Sequence, residues 1–537
     1  MLANGCTGNY QGVILTDGTL VYSNNGAWVS ALSQTEWTTL WTYEATFGVR
    51  EISWYTYPTA DFGFNAPTSA VDTTTSPVST HLTTQGQSTF SYVNPASTVA
   101  IQNAYTYLAT PLTDGTSTPV ISDASGNALA TIHTTADGRQ TLALAYDSNP
   151  NLIHDIVYSY GYINWLTKGV FLGDRHVYLQ PQVDDLFIDD DVWTPTTPCG
   201  TAVDQTGAVY RITGSDLQAY TNWQQSMQAS SITANFKTAI AFNAYGTTAD
   251  AGYTPDTLTP EVKAVQGQYD WINHTWDHED LTTASAAMTN SELTQNEQAA
   301  QQIGFTHFST DNMVTPGITG LTNATFLTTA YQLGIRYLVS DTSVAGYSNP
   351  SPNAGIYNPL EPGILEIPRH PMNLFYNVGT PDQWLAEYNC MYQSFWGHAF
   401  TYQELLDEES SDLLTYMLRG DIDPIMFHQT NFQAYDGTHS LLSDLLSETF
   451  TKYEQYFNLP VLSPSFDTLG QDVAQRMQYN TAGVTATISG KTLTLTATQA
   501  ATIPVTGANV AGAEQYGGQS IAHVTLAAGQ LVTLTLP

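Results

Sequence analysis

Two stretches hold residues whose types and spacing could do chemistry. In Asn273-His274-Thr275-Trp276-Asp277-His278 two imidazoles stand four residues apart, and a helix starting there would project both from one face as a pincer for a divalent metal. With 12 histidines in the chain the pair alone is weak evidence, and its weight depends on a third ligand. Val183-Asp184-Asp185-Leu186-Phe187, followed by Asp189, Asp190 and Asp191, offers one. Neighbouring carboxylates repel unless a cation or a proton relieves them, and a metal is the simplest relief. Successive side chains on extended backbone point to opposite sides, so one of Asp184 and Asp185 can ligate while the other stays free to take a proton. Asp185, His274 and His278 together make a three-ligand N/O set that suits zinc, with cobalt or nickel as alternatives, and leaves a position open for water and substrate. Such an ion polarises a carbonyl and makes water nucleophilic at neutral pH.

These residues need strand ends to hold them. From His176 the pattern predicts strands over 177–183, 238–242, 271–273, 335–339, 365–367 and 424–427, alternating with helices over 216–227, 293–303, 326–333 and 402–418. Repeated βα units indicate a barrel of parallel strands over 173–470, with its chemistry at the C-terminal strand ends. The two aspartates, the histidine pair and His428 all fall at such ends. Residues 1–172 read as a separate α/β domain, flavodoxin-like or amidotransferase-like in outline, with strands at 12–16 and 140–145, helices at 35–47 and 151–166, and hairpin turns at Gly126-Asn127 and Asp137-Gly138. It carries no nucleophile elbow and no phosphate loop. Residues 471–537 begin with a helix over 472–478. Short strands rich in Thr, Val and Leu follow at 484–488, 492–497, 501–505, 520–526 and 531–536, a β-sandwich pattern small enough to lean on the barrel or to borrow strands from the first domain.

Composition narrows the partners. Charged residues make up 11% of the 537, against roughly 25% in ordinary soluble domains, and neutral polar groups take over the surface role. With 13 basic and 48 acidic residues the formal charge is −35, and no run of Lys or Arg offers a path for phosphates, so nucleic acid and anionic membrane are poor partners. A neutral or cationic polymer is compatible. No 18-residue apolar run suggests a membrane span, and the start, Met1-Leu2-Ala3-Asn4-Gly5-Cys6, shows no signal peptide. The composition nevertheless suits a secreted or wall-associated protein, which a trimmed N-terminus would reconcile. Cys6, Cys199 and Cys390 lack Cys-x-x-Cys spacing; one disulfide and one odd thiol are compatible with an oxidising compartment, with Cys199 and Cys390 a candidate pair and the pairing left open. Asn323-Ala324-Thr325 is a glycosylation sequon, and Asn273-His274-Thr275 is formally a second, although a glycan there would obstruct the metal pincer. Nothing in the chain speaks to oligomeric state, and a monomer is the working assumption.

Three motifs carry a resemblance. Gln-Pro-Gln-Val-Asp-Asp-Leu-Phe-Ile, Asn-His-Thr-Trp-Asp-His and Pro-Ile-Met-Phe-His-Gln-Thr-Asn are similar to those of the polysaccharide deacetylases, carbohydrate esterases of the NodB type, and most of all to the fungal galactosaminogalactan deacetylases. The resemblance covers roughly 175 to 460. It implies a NodB-like barrel and a metal-dependent hydrolase acting on linear amides, which removes acetyl groups from an N-acetylgalactosamine-containing exopolysaccharide. It further implies Asp184 as general base, Asp185, His274 and His278 as metal ligands, and His428 as general acid, with the metal activating carbonyl and water. The family's Arg-x-Pro is missing where it is expected: Val314-Thr315-Pro316-Gly317 has no arginine, so Arg369 of Pro368-Arg369-His370-Pro371 is assigned to orient Asp184. Asp341 is a candidate to orient His428, or else a helix-start cap, and His370 is either a supporting group or a loop histidine. Trp193, Trp276 and Phe432, close to the motifs in sequence, are the candidate sugar platforms. A deacetylase of chitin or another acetylated glycan is the competing enzyme reading. A non-catalytic carbohydrate-binding surface protein is the alternative from another class, and the joint presence of base, acid and ligands speaks against it.

Overall fold

The computed structural model describes residues 1–201, 207–348 and 353–537. At its centre seven strands close a parallel barrel: β1 (Pro181–Leu186), β2 (Ala239–Phe242), β3 (Asp270–Asn273), β4 (Phe308–Met313), β5 (Tyr337–Asp341), β6 (Leu365–Pro371) and β7 (Ile425–His428). Each pairs in parallel with the next, and β7 returns to β1. Parallel strands covered on both faces favour unbroken apolar runs, and Ala239-Ile240-Ala241-Phe242 of β2 is fully buried. The surrounding helices carry their own stop and start signals. The helix Tyr402–Arg419 opens on a capping box between Thr401 and Glu404, closes at left-handed Gly420, and buries Leu405, Leu406, Glu409, Leu413, Leu414 and Met417 on one stripe.

Two expectations for the barrel need correction. The strand expected over 177–183 is broken: Val177–Tyr178 pairs with Val461–Leu462, and β1 starts only at Pro181, which has no amide hydrogen to give a ladder and so sits at a strand's first position. Strand β4 has no counterpart among the expected strands. Its Phe-Ser-Thr-Asp-Asn-Met sequence lacks an apolar pattern because four of its six residues stay at least partly accessible, and Ser309 and Asp311 bond to each other instead.

The N-terminal residues form a seven-stranded sheet in the order Gly12–Leu15, Arg50–Ser53, Gln140–Leu144, Ala128–Thr134, Ser117–Asp123, Val78–Leu82, Val99–Ile101. Only the first three strands run parallel; the other four pairings are antiparallel, so the flavodoxin-like outline does not hold. The turns at Gly126 and Gly138, both left-handed, fold consecutive strands directly back on one another and leave no crossover helix between them. Contact with the barrel runs through Tyr92 against Phe457 at 5.3 Å and through Asn94, whose N–H donates to the Tyr456 carbonyl at 2.8 Å.

At the C-terminal end, Val484–Ser489, Thr492–Ala497 and Leu531–Thr535 make one antiparallel sheet. Ala501–Thr506, Gln519–Leu526 and Glu514–Tyr516 make a second, to which Phe171–Leu172 adds an edge strand from before the barrel. The two sheets share a core around Leu493, Leu495, Ile503, Val505 and Leu526. Among the described residues no helix is long and apolar enough to cross a membrane.

Candidate active site

Asp184 and Asp185 sit near the end of β1, where the backbone departs from regular extension. Asp185 (φ 69°), Phe187 (φ 86°), Thr275 (φ 67°) and His278 (φ 65°) are all non-glycine residues in the left-handed region, and their concentration at one place marks stored backbone strain of the kind found at functional sites. The histidine pair is therefore not on a helix, as the spacing predicted. His274 and His278 lie on the loop that leaves β3, and the two left-handed residues curl that loop so the rings converge at 5.1 Å between centroids. Neighbouring groups hold the curl. Asn243 donates to the carbonyls of His274 and Thr275, Glu292 accepts the N–H groups of Trp276 and Asp277, and Asn273 accepts the N–H of Thr275. Asn273 itself is buried, which removes the second sequon. Asn323, in the other one, uses its side-chain amide to donate to Leu281 and Ala284 carbonyls, bonds that a glycan would displace.

Asp185 is the hub. Its Oδ1 lies 3.1 Å from His274 Nε2 and 3.2 Å from His278 Nε2, and its Oδ2 lies 3.9 Å from His428 Nε2. His274 Nδ1 is 2.8 Å from the Val314 carbonyl, which places a proton on Nδ1 and turns Nε2 toward Asp185. A ring nitrogen facing a carboxylate at that distance needs a proton or a metal ion between them. The ligand-to-ligand spacing also matches the edge of about 3.3 Å in a tetrahedron built on metal–ligand distances of about 2.0–2.1 Å. The donor set of one carboxylate and two imidazoles thus fits a divalent ion, and it is one of two such groups among the described residues. His278, 38% exposed while His274 and Asp185 are buried, forms the side of the triad open to solvent.

Asp184 faces the other way. Arg369 on β6 grips it with both nitrogens, Nη1 to Oδ1 at 3.0 Å and Nη2 to Oδ2 at 2.7 Å, and Arg369 Nη1 also reaches Gln182 Oε1 at 3.4 Å. Burial would raise the Asp184 carboxyl, but Arg369 and His274 outweigh it and hold it below the usual carboxylate range. Asp185 is likewise pushed up by burial and carried well below that range by its bonds to His274 and His278. Asp184 pairs in register with His428, at the end of β7. Burial lowers the His428 imidazole, against the pull of Asp185 and Asp184. Its backbone N–H donates to Asn431 Oδ1 at 3.0 Å.

Other candidates land elsewhere. Asp341 accepts from the Ser343 amide and hydroxyl at 2.8 and 2.6 Å, so it caps a turn and has no bond to His428. His370 stacks on Tyr416 at 4.1 Å and meets Asp421 at 3.1 Å and Asp423 at 3.8 Å, a group separate from the triad. Trp193 is 5% exposed and Phe432 is fully buried against Tyr220 at 4.2 Å, so both are core residues and cannot be sugar platforms; of the three aromatics only Trp276 is partly accessible. The ring that does stand beside His428 is Tyr376, 40% exposed and 5.6 Å away, on the loop after β6. No motif in the sequence singles it out. Asp190 also went unassigned. Its carboxyl, bonded by Gln429 Nε2 at 2.8 Å, is raised well above the usual range by burial and by the charge of Asp185. The run of aspartates from 189 to 191 was its only signal.

Residues 259–487 match the family model described as the Agd3 deacetylase domain, and residues 1–165 match the one described as Agd3 CBM87. The deacetylase match takes in His274, His278, Arg369 and His428, while Asp184 and Asp185 lie before it. The crystal structure of Agd3, described as a novel carbohydrate deacetylase, superposes with a TM-score of 0.85 over 98% of this chain and 91% of that one, at 21% identity, which shows a common fold from end to end. A putative polysaccharide deacetylase from Mycobacterium smegmatis (TM-score 0.35, 13% identity, 57% of this chain and 94% of that one) and the chitin deacetylase from Colletotrichum lindemuthianum (0.29, 13%, 55% and 88%) overlap only loosely. No curated protein matches the chain.

Proposed function

Because the chain belongs to the polysaccharide deacetylases of the Agd3 type, we propose that it is a metal-dependent N-deacetylase of an amino-sugar exopolysaccharide containing N-acetylgalactosamine. The observation that carries this reading is the convergence of Asp185, His274 and His278 at a barrel mouth where Asp184 and His428 stand in register. A divalent cation, zinc before cobalt or nickel, held by Asp185, His274 and His278 supplies Lewis acidity toward the acetamide carbonyl and the attacking water.

The protein's own residues do the rest. Asp184, kept ionised by Arg369, takes the proton of the water as it attacks the carbonyl carbon. Arg369 occupies one direction of each Asp184 oxygen and so fixes the direction left for that proton. His428 gives a proton to the departing sugar amine, and its lowered basicity makes its charged form the readier donor. Trp276, partly buried on the loop of the histidine pair, and Tyr376, exposed beside His428, are rings available to a sugar there.

In this reading residues 173–470 perform the chemistry, 1–172 hold the polymer, and 471–537 buttress the barrel. A disulfide between Cys199 and Cys390, whose Cα atoms are 5.5 Å apart, supports action outside the reducing cytosol, in secreted or wall-associated form. Acetate release from a panel of acetylated galactosamine and glucosamine polymers, with and without chelator, tests the proposal. Release from N-acetylglucosamine polymers alone would transfer it to chitin-like substrates, and binding without release at any metal would leave a carbohydrate-binding protein.

A further inference from the structure

Four tyrosines gather beside the N-terminal sheet. Tyr55 and Tyr57 leave the C-terminal end of Arg50–Ser53, and Tyr105 and Tyr107 lie on Tyr105–Leu108, the partner strand of Ser69–Asp72. Tyr107 is the hub: Tyr55 stacks on it at 5.7 Å with 16° between planes, and Tyr57 and Tyr105 meet it edge-on at 5.1 and 5.7 Å. Tyr57 is 60% exposed and Tyr105 43% exposed. The backbone beneath is pinned to the strand Gln140–Leu144 and its continuation. The Thr56 N–H donates to the Leu144 carbonyl, that of Tyr107 to Ala145, and that of Asp147 to Tyr105, each at 2.8 Å. Asp147, whose backbone pairs with that of Tyr105, carries an exposed carboxylate whose Oδ1 accepts the Ser148 N–H at 2.7 Å.

Rings already packed against one another lose little freedom when a ligand lands on them, and each offers an apolar face with a hydroxyl at its rim. A pyranose matches that surface, with C–H bonds on its face and hydroxyls at its edge. The sheet that carries the rings is the part of the chain matching the CBM87 model. Charge selects further. The protein carries −35, and removal of acetyl groups turns a neutral amino sugar into a cationic one, so a carboxylate beside the rings favours residues whose amine is free.

We propose that Tyr57 and Tyr105, backed by Tyr55 and Tyr107, form the polymer-binding face of the N-terminal sheet, and that Asp147 tunes it toward amino-sugar residues already deacetylated. The inference rests on the proposed function for the class of sugar. It makes the N-terminal sheet a holder of product, keeping the enzyme on stretches of polymer it has already worked.

The test uses the full chain and fluorescently labelled oligosaccharides of N-acetylgalactosamine, before and after chemical deacetylation, in binding titrations at low and moderate salt. The parent binds the deacetylated oligosaccharide more tightly, and salt weakens that preference. Tyr57→Ala with Tyr105→Ala weakens both ligands by on the order of tenfold with an unchanged thermal midpoint, while the paired Phe variants, which keep the ring faces, retain most of the affinity. Asp147→Asn abolishes the preference and leaves the acetylated ligand unaffected. Undiminished binding in the double Ala variant overturns the platform, and an undiminished preference in Asp147→Asn overturns the charge selection. A parent that releases acetate but binds neither ligand overturns the platform and leaves the catalytic reading standing. Binding lost on substitution, in a parent that releases no acetate, does the reverse.

Discussion

Arg369 closes on Asp184 with a two-pronged ion pair between groups 1% and 5% exposed, and it does so from β6, one strand along the barrel from His428. The loop after β4, where an Arg-x-Pro was expected, supplies Val314-Thr315-Pro316 instead. The barrel wall thus delivers from a later strand the same chemical group that the missing motif lacks. Removing one member of a buried pair leaves the other charge uncompensated, at a cost of about 3–5 kcal/mol. Arg369→Ala is therefore expected to lower stability by that order in denaturant unfolding and to abolish acetate release. Arg369→Lys keeps the charge without the fork, and should recover most of the stability but little of kcat, with KM nearly unchanged. Full kcat in the Lys variant would remove the orienting role.

Asp184 and Asp185 are neighbours with separable duties, and metal content separates them. Asp184→Asn should retain the ion by elemental analysis and lose at least about a hundredfold in kcat, the ordinary worth of a general base. His274→Ala should lose both ion and activity. Chelator treatment of the parent should abolish acetate release, and zinc or cobalt should restore it. Chelator-resistant turnover would sink the metal-dependent reading.

Much of this site was legible because strand ends in a parallel barrel collect chemistry, so residues far apart in sequence could be placed at one mouth from the alternation alone. The convergence of His274 and His278 was foreseen, but through a helix that does not exist; what brings the rings together is the left-handed backbone of Thr275 and His278, which side-chain type does not announce. Trp193 and Phe432 misled for a related reason. Nearness in sequence to a motif says nothing about which way a ring points, and both point into the core. Strand β4 escaped because its polar residues break the apolar pattern, and the N-terminal sheet because strand direction follows from turns more than from the strands themselves.

The C-terminal sheets and the barrel entry share an ion pair that should show in the pH dependence of stability. His176 Nε2 lies 2.7 Å from Glu514 Oε1 and its Nδ1 lies 3.1 Å from Asp174. Burial lowers the His176 imidazole, but the two carboxylates overcome it and raise it to about 9 from 6.5. Glu514 is lowered to about 2, chiefly by its bond from His176. A raised histidine stabilises fully below its unfolded value and loses that contribution as pH climbs through its folded one. A lowered glutamate stabilises above about 4.5 and loses its contribution as pH falls toward about 2. The pair therefore contributes fully between about 4.5 and 6.5 and fades toward 9. Glu514 is 35% exposed, which limits the contribution to on the order of 1 kcal/mol. Thermal midpoints of the parent should fall from pH 6.5 to 9 more steeply than those of His176→Gln, and parallel slopes would contradict the assignment.

Cys199 and Cys390 close a span of 191 residues, while Cys6 is free and exposed. By the chain-entropy account a cross-link over so long a loop contributes about 5 kcal/mol. Thiol titration under denaturing conditions should find one reactive thiol in the protein as isolated and three after reduction. Reduction should also lower the denaturation midpoint markedly. Three thiols without reductant would show that the bond is not formed.

Phe432 and Tyr376 flank the end of β7 and should answer differently to truncation. Phe432, wholly enclosed and packed on Tyr220, is core, and Phe432→Ala should cost about 3–5 kcal/mol in unfolding. Tyr376 is 40% exposed beside His428, so Tyr376→Ala should leave stability within about 1 kcal/mol of the parent and act on substrate instead. A ring that only binds sugar raises KM and spares kcat, whereas one that also packs His428 into position lowers kcat. At 5.6 Å with the ring planes tilted by 58°, the contact with His428 is loose, and the expected outcome is a severalfold rise in KM with kcat within about twofold. Unchanged KM in Tyr376→Ala would remove this ring from the substrate's path.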